Sequence, residues 1–350
     1  MRKVPRGDAE TPRVAQLSAP PRPGRTARSS LKIAALGTYL PEKRLTNDDL
    51  ARLVDTDDAW IMKRTGIRER RIAAPEEYTT DLCMAAVRDM EARGGRIDEV
   101  DYIIVCTSTP DYGFPSVAAR LQDRLGLVNV GAIDLTAACA GFMYGLDVAD
   151  ALLNTGRARS VLVAGGETMS KIIDYEDRGT CILFGDGAGV ALVNAPEGAP
   201  ATLLARRAVS DGALGKELFV TGLRDEIAGI VDPARRLRQN GRAVYEWAIV
   251  NVSAGIAELL DAAGMRADQV DWFVPHSANA RMIESICKRT GIPYERTLTS
   301  LEWCGNTSSA SIPLALAPAV RDGRVRPGDV VLLYGFGGGL VENGMLMRWS

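Results

Sequence analysis

One cysteine of this chain lies in a setting that suits nucleophilic chemistry. Cys139 occurs in DLTAACAGFMYGL, where a predicted strand over Gly131–Leu135 leads into a small-residue turn and then a predicted helix. Free N–H groups and the positive end of the helix dipole favour a thiolate at such a position. The small neighbours leave room for a substrate. A buried structural cysteine is the alternative interpretation, and the other five cysteines, which lack this setting, are read that way.

A histidine and an asparagine occupy comparable settings further along the chain. His276 lies in VPHSANARMI, between a predicted strand and a predicted helix, where α/β proteins often place catalytic groups. Asn306 lies in a Gly-Asn-Thr turn ahead of another predicted helix. Taken singly, His276 could be a core or loop histidine and Asn306 a helix N-cap. Because His276 is the only histidine, a site with several histidine ligands for a metal is excluded.

Together these residue types support two kinds of reaction. In a hydrolase, the histidine would act as the general base for the cysteine. In an acyl transfer that forms a carbon–carbon bond, the cysteine would carry the acyl group. The histidine and asparagine would then donate hydrogen bonds to a thioester enolate. The residues alone leave both reactions open.

Two glycine-rich stretches lead to different predictions. FGDGAG at Phe184–Gly189 precedes a strand-like run, whereas a dinucleotide-binding fingerprint follows a strand and opens a helix. We therefore exclude a dinucleotide-binding site at this stretch. Gly337–Gly339 follows a predicted strand and offers bare backbone N–H groups, so it predicts either half of an oxyanion hole or a tight turn.

An aromatic and a basic residue are spaced for one helix face. Trp60 and Arg64 are four residues apart in DTDDAWIMKRTGIRER and share a face if the segment is helical. An indole beside a guanidinium suits an adenine and its phosphates. A surface cation–π pair is the alternative.

Composition narrows the class of protein. The 350 residues carry 42 Lys+Arg and 44 Asp+Glu, and a net charge of -2 argues against a dedicated nucleic-acid binder. No apolar run approaches the roughly 18 residues of a membrane span, so no membrane partner is expected. The six cysteines include no CxxC pair, which favours reduced thiols in the cytoplasm over a zinc site or a disulfide framework.

Residues 1–30 differ from the rest of the chain. They contain five prolines, seven Lys/Arg and two acidic residues, with no apolar period. This composition predicts a disordered basic tail. An organelle transit peptide, or a start codon assigned too early, are the alternatives.

From Leu31 onward, strand-like and helix-like stretches alternate, which indicates an α/β fold. Two pairs of segments recur in the same order: Ala92–Asp101 with Ala262–Asp271 at an offset of 170 residues, and Gly156–Arg159 with Gly323–Arg326 at an offset of 167. The repetition predicts two related halves, 31–200 and 201–350, that build one site between them. The offset of 167 places Asn306 opposite Cys139, and the offset of 170 places Cys106 opposite His276.

Several motifs together identify a family resemblance. They are WIMKRTGIRERRIA, AACAGFMYGL, DRGTCILFGDGAG, VPHSANARMI, GNTSSASIPLAL and GFGGG, spread from Leu31 to Trp349. The chain resembles the β-ketoacyl-acyl-carrier-protein synthase III family of the thiolase superfamily. The resemblance implies a five-layered αβαβα fold of two duplicated halves, a homodimer, and catalysis without a metal or redox cofactor. It also implies two substrates, an acyl-CoA and malonyl-acyl-carrier protein (malonyl-ACP).

The resemblance assigns expected roles to matching positions. Cys139 would take the acyl group from acyl-CoA, with the N–H groups of Cys139 and Gly338 as the oxyanion hole. His276 and Asn306 would stabilise the enolate formed as malonyl-ACP loses carbon dioxide, and the product would be a 3-oxoacyl-ACP. The remaining expected positions are Trp60, Arg64 and Arg178 for CoA; Phe114 (from the partner subunit), Met169, Phe184 and Phe336 for the acyl pocket; and Arg281, Lys288 and Arg289 for carrier docking.

The chain departs from the family pattern close to these motifs. Cys304 stands where an aromatic or histidine is usual, and Leu340 stands where a Phe can occur. Val341–Asn343 replaces a common Thr-Trp-Gly, and the charged stretch 213–240 is divergent. We expect these changes to reshape the pocket or its floor. They leave open a role in fatty acid or polyketide initiation, and, as an alternative, acyl transfer to a non-malonyl acceptor in secondary metabolism.

Overall fold

The structure is a computed structural model that describes residues 29–195 and 202–350. The predicted disordered tail lies outside the described residues, apart from its last two positions. The strands are β1 Lys32–Tyr39, β2 Lys43–Thr46, β3 Glu69–Ile72, β4 Tyr102–Cys106, β5 Gly131–Leu135, β6 Ser160–Thr168, β7 Asp186–Asn194, β8 Leu203–Ser210, β9 Leu218–Phe219, β10 Glu226–Ile227, β11 Ile230–Val231, β12 Arg238–Gln239, β13 Trp272–Pro275, β14 Val330–Gly337 and β15 Val341–Arg348. The helices are α1 Asn47–Leu50, α2 Asp58–Thr65, α3 Thr79–Ala92, α4 Val117–Arg124, α5 Gly141–Asn154, α6 Arg178–Cys181, α7 Gly241–Ala263, α8 Ala280–Thr290, α9 Leu301–Cys304 and α10 Ser311–Arg321.

The two larger sheets have the same arrangement over four strands, and the first sheet has a fifth strand at its edge. The first runs β1-β7-β6-β4-β5, and the second runs β8-β15-β14-β13. In the first sheet β4 pairs in parallel with β5 and β6, while β7 is antiparallel to β6 and β1. The second sheet repeats this pattern, with β13 parallel to β14 and β15 antiparallel to β14 and β8. The prediction of an α/β fold with two duplicated sheets is thus confirmed.

The two sheets and three layers of helices together form five layers. Apolar residues of α5 and α10, such as Phe142 and Leu316, fill the space between the two sheets. Helices α3 and α4 cover the outer face of the first sheet, and α7 and α8 cover the outer face of the second. Since both faces of each sheet are covered, central strands such as β6 are buried along their whole length. This explains their nearly continuous apolar sequence.

The sequence prediction that pairs Asn306 with Cys139 is wrong. Cys139 is the middle residue of a 3-10 turn, Ala138–Ala140, that leads directly into α5. The equivalent turn before α10 is Ser308–Ala310, so the counterpart of Cys139 is Ser309, 170 residues later. The offset of 167 arises further along, because α10 has 11 residues and α5 has 14. The longer loop before β14 then restores the offset of 170.

Helix α7 has the length and composition of a membrane span, with 23 residues. Its face formed by Ala248, Val252 and Ile256 is fully buried against the second sheet. Core helices of globular proteins meet the same criteria of length and composition, so α7 alone is weak evidence for a membrane segment.

Candidate active site

A cavity of about 490 Å³ is lined by residues of both halves of the chain. Cys139, His276 and Asn306 all line it, and each is almost completely buried. Cys139 precedes α5 in the first half, while His276 follows β13 and Asn306 follows α9 in the second. The duplicated fold therefore brings together three groups that are far apart in the sequence.

The Cys139 thiol is 6% exposed and closely surrounded by backbone. A Cβ added at Gly337 would lie 2.7 Å from the Cys139 Cβ and 3.1 Å from its Sγ, so only glycine allows β14 to approach this closely. Burial raises the pKa of the Cys139 thiol to about 12, against the opposing effects of the Ser308 side chain and of the N–H groups of Cys139 and Gly338. The N–H group at the helix start lowers the thiol pKa, as the sequence predicts, but desolvation outweighs this effect in the resting protein.

His276 is held by contacts on its ring and its backbone. Its Nδ1 lies 2.7 Å from the Ser311 Oγ, and its N–H donates to the Tyr334 carbonyl at 2.8 Å. The Phe336 ring meets the imidazole edge-on, with centroids 5.3 Å apart. Burial lowers the pKa of His276 to about 3, so the imidazole is neutral at pH 7. The N–H of Ser277 donates to Ser311 Oγ, so the serine can donate its own proton to Nδ1, an arrangement that would put the ring proton on Nε2.

Asn306 is fixed by its backbone and by one side-chain oxygen. Its N–H donates to the Leu183 carbonyl at 2.8 Å, and its carbonyl accepts from Gly185 N–H at 3.0 Å. Its Oδ1 accepts a hydrogen bond from the Ser308 N–H at 2.9 Å. This hydrogen bond ties Asn306 to the turn before α10, but the N-cap residue of that turn is Thr307 and that of α10 is Ala310, so the interpretation of Asn306 as a helix N-cap is wrong. Because Oδ1 accepts from Ser308, the two protons on Nδ2 are left for the cavity.

The expected CoA residues form one cluster. Trp60 and Arg64 on α2 line the cavity. The Cζ atoms of Arg64 and Arg178 lie 5.2 Å and 5.0 Å from the Trp60 ring centroid. Arg178 also donates to the Asp55 carbonyl at 2.8 Å. With Arg178 against the indole, an adenine between them requires the guanidinium to move.

The four expected acyl-pocket residues differ in position. Phe184 and Phe336 line the cavity. Met169 is buried behind it, in an apolar cluster that includes Phe184. Phe114 is 90% exposed and does not line the cavity of its own chain. It lies in the loop before α4, while β5 forms the edge of the first sheet.

Basic residues occur on both α7 and α8, the two long helices that contribute to the cavity wall. Arg281 at the start of α8 lines it, and Lys288 and Arg289 are exposed on the last turn of the same helix. Arg242 on α7 also lines the cavity and donates to Glu246 at 2.8 Å. Sequence reasoning did not single out Arg242.

Of the four departures from the family pattern, only the divergent stretch 213–240 contributes to the cavity wall. Glu342 is buried, forms an ion pair with Arg207 and accepts from the Tyr334 hydroxyl at 3.0 Å. Cys304 and Leu340 are also buried, and neither lines the cavity as described. From the divergent stretch, Leu218 and Gln239 do line it. The expected change of pocket shape therefore involves Leu218 and Gln239 directly. The other departures do not line the cavity.

Two buried polar groups next to the site were missed by sequence reasoning. Ser311 contacts His276, and Glu167, at the end of β6, accepts from the Ser308 hydroxyl at 2.9 Å. Glu167 and Ser308 are 141 residues apart, so no local pattern connects them.

Comparison with known proteins identifies relatives of this chain. Residues 133–212 match the model for 3-oxoacyl-[acyl-carrier-protein (ACP)] synthase III, and residues 260–349 match the model for its C-terminal part. The chain is 54% identical to β-ketoacyl-[acyl-carrier-protein] synthase III 2 of Halalkalibacterium halodurans, over 92% of this chain and 97% of the relative. It is 50% identical to the protein of the same name from Bacillus subtilis, over 92% and 99%.

A solved structure agrees with these relatives. The crystal structure of β-ketoacyl-[acyl-carrier-protein] synthase III from Thermus thermophilus superimposes with a TM-score of 0.87 at 43% identity, covering 91% of this chain and 99% of that one. The chain therefore belongs to the β-ketoacyl-acyl-carrier-protein synthase III family of thiolase-fold condensing acyltransferases.

Proposed function

We propose that this protein condenses an acyl group from acyl-CoA with malonyl-ACP, using Cys139, His276 and Asn306. The observation that carries the proposal is that these three side chains, contributed by both halves, line one cavity. A thiol, a neutral imidazole and a free amide suit a reaction with an acyl-enzyme and an enolate intermediate.

The first half-reaction loads the enzyme. The Cys139 sulfur attacks the thioester carbonyl of acyl-CoA, and the CoA thiolate leaves with a proton to give free CoA. The N–H groups of Cys139 and Gly338, which act on the sulfur in the resting protein, support an oxyanion hole at this position.

The second half-reaction forms the carbon–carbon bond. The Nε2–H of His276 and the Nδ2–H of Asn306 donate to the thioester oxygen of malonyl-ACP while carbon dioxide leaves. The resulting carbanion attacks the acyl-cysteine, releases the Cys139 thiolate and yields a 3-oxoacyl-ACP. A histidine with a pKa of about 3 is suited to this role because it donates a hydrogen bond while it remains neutral.

The substrates approach through the part of the cavity lined by basic residues. Trp60, Arg64 and Arg178 bind the adenine and phosphates of CoA, for which their stacked arrangement is suited. Arg281, Lys288 and Arg289 receive the acidic carrier protein, an assignment supported by their exposure on one helix.

We also propose a cytoplasmic homodimer. Phe114 is exposed in a loop that lines a cleft together with the edge strand β5, which supports an interface in which the partner's Phe114 completes the acyl pocket. The six cysteines of the chain are all free thiols in the structure, which suits a reducing compartment.

Intact-mass measurement tests the proposed reaction. The protein is incubated with short acyl-CoAs, with and without malonyl-ACP, beside a Cys139→Ala control. The expected result is an acyl adduct that is absent from the control and discharges onto malonyl-ACP with release of carbon dioxide. An adduct that ignores malonyl-ACP would favour an acyltransferase with another acceptor, and the absence of any adduct would contradict the proposal.

A further inference from the structure

Glu167 is a buried acid beside the proposed nucleophile. Its side chain is at the end of β6, at 0% exposure. Within the described residues its carboxylate contacts hydroxyl and N–H groups only: Thr107 Oγ1 at 3.3 Å, Ser108 N at 3.1 Å, Thr109 Oγ1 at 2.7 Å, Ser308 Oγ at 2.9 Å and Ser309 Oγ at 3.0 Å. Burial raises the pKa of Glu167, which makes it a stronger proton acceptor than an exposed carboxylate.

Ser308 connects this carboxylate with the Cys139 thiol. Its hydroxyl donates to Glu167 Oε1, and the same side chain is within hydrogen-bonding reach of the Cys139 sulfur. The turns that carry the two residues face each other, because a Cβ added at Gly141 would lie 3.4 Å from the Ser309 Cβ. A hydroxyl that donates to a carboxylate can still accept from a thiol, since oxygen keeps its lone pairs.

We propose that Glu167, acting through the Ser308 hydroxyl, takes the proton of Cys139 when the enzyme is acylated. The thiol proton moves to Ser308 Oγ as the Ser308 proton moves to Glu167 Oε1, so a thiol and a carboxylate become a thiolate and a carboxylic acid. After the thiolate has attacked acyl-CoA, the proton returns by the same route and leaves with CoA. The inference rests on the proposed function, and it assigns the base of its first half-reaction.

Two neighbouring groups are poorly placed for this role. His276 is a weak proton acceptor, because burial lowers its pKa to about 3, and Ser311 Oγ already lies 2.7 Å from its Nδ1. Ser309 Oγ lies 2.8 Å from the Cys106 carbonyl oxygen and 3.0 Å from Glu167 Oε1, so its single proton is already shared between two acceptors. Ser309 therefore provides a matched control that removes a Glu167 contact and leaves the route to Cys139 intact.

Rapid-quench intact mass separates the two half-reactions in full-length variants. Acylation by acetyl-CoA is timed for the wild type, Glu167→Gln, Ser308→Ala and Ser309→Ala. Each protein is then loaded to completion, and its discharge onto malonyl-ACP is timed. We expect Glu167→Gln and Ser308→Ala to acylate about a hundredfold more slowly, the size typical of a positioned proton acceptor. Their discharge, and both steps in Ser309→Ala, should stay near the wild-type rates.

Three results of this experiment would contradict the inference about Glu167. The Glu167 charge itself also raises the pKa of Cys139, so if charge were its only effect, Glu167→Gln would acylate faster than the wild type. Equal or faster acylation in Glu167→Gln would overturn the inference, as would equal slowing in Ser308→Ala and Ser309→Ala. Slowing of both half-reactions would indicate a merely structural role and overturn it too. Failure of the wild type to acylate would instead refute the proposed function.

Discussion

Ala138 and Ser308 occupy equivalent backbone positions 170 residues apart, with positive φ angles of 44° and 48°. Each opens the 3-10 turn that leads into a central helix of its half. A left-handed conformation in two non-glycine residues is uncommon and marks sites that the surrounding structure strongly determines. Here it places Cys139 at the start of α5 and Glu167-bound Ser309 at the start of α10. Each half therefore has the same kind of turn, with the thiol of Cys139 in the first half and the hydroxyl of Ser309 at the equivalent position in the second.

The close approach of β14 to this turn gives the first prediction. In Gly337→Ala the new methyl group would lie 2.7 Å from the Cys139 Cβ and 2.9 Å from its N. We expect acylation to be lost and the free energy of unfolding to fall by about 1–3 kcal/mol, the usual cost of overpacking. Gly212→Ala is the control, because an added Cβ there meets nothing within 4 Å. Urea unfolding and intact mass measure the two effects, and a fully acylated Gly337→Ala protein would contradict the prediction.

The buried thiol predicts the pH dependence of alkylation. With a pKa of about 12, Cys139 is a thiol across the neutral range, and its thiolate fraction grows about tenfold per pH unit. We therefore expect the rate of iodoacetamide modification at Cys139 to rise tenfold per unit between pH 7 and pH 9. Peptide mapping assigns the adduct, with Cys139→Ala as the control. A plateau near pH 8 would show instead that the helix start stabilises the thiolate.

The neutral histidine predicts a loss of stability in acid. Burial lowers the pKa of His276 from 6.5 to about 3, so below pH 6.5 the unfolded chain binds a proton that the folded chain does not. Folding is therefore weakened as pH falls, and one such group contributes about 2 kcal/mol between pH 7 and pH 5. We expect His276→Asn to lose that much less stability than the wild type over this interval. Urea unfolding at both pH values measures the difference. Since the chain has one histidine, parallel curves would mean that His276 titrates normally when folded.

Much of the fold, and three residues that line the cavity, could be predicted from the sequence, but the hydrogen-bond partners of these residues could not. The alternation of strands and helices and the motifs around Cys139, His276 and Asn306 are local patterns, and they are preserved along short stretches of chain. The contact of Glu167 with Ser308 joins the two halves and leaves no such pattern. The pairing of Asn306 with Cys139 was wrong because a shorter α10 changes the repeat offset. The direction of the Cys139 pKa shift could not be predicted from the sequence, because desolvation depends on how the folded chain packs.

The exposed Phe114 predicts a change in acyl preference. If the partner's Phe114 closes the acyl pocket, Phe114→Ala enlarges that pocket and shifts kcat/KM towards longer acyl-CoAs. Stability of the folded chain should hardly change, because the side chain is 90% exposed in one subunit. Val128→Ala, at a site 79% exposed in the adjacent loop, is the control. An unchanged chain-length profile over a series of acyl-CoAs would argue against a pocket shared between subunits.

The Trp60 cluster predicts a specific loss of CoA affinity. Stacking of a base on an aromatic ring contributes about 1–3 kcal/mol, so Trp60→Ala should raise KM for acyl-CoA about tenfold or more. The discharge of loaded enzyme onto malonyl-ACP should be unaffected, because the adenine has left by then. Trp303→Ala is a matched control: Arg68 lies over the Trp303 ring at 5.7 Å, and Trp303 does not line the cavity. Steady-state kinetics with acetyl-CoA distinguish the variants. Equal effects of the two substitutions would mean that Trp60 is only half of a surface cation–π pair, and the adenine would then have to bind elsewhere among the basic residues of the cavity.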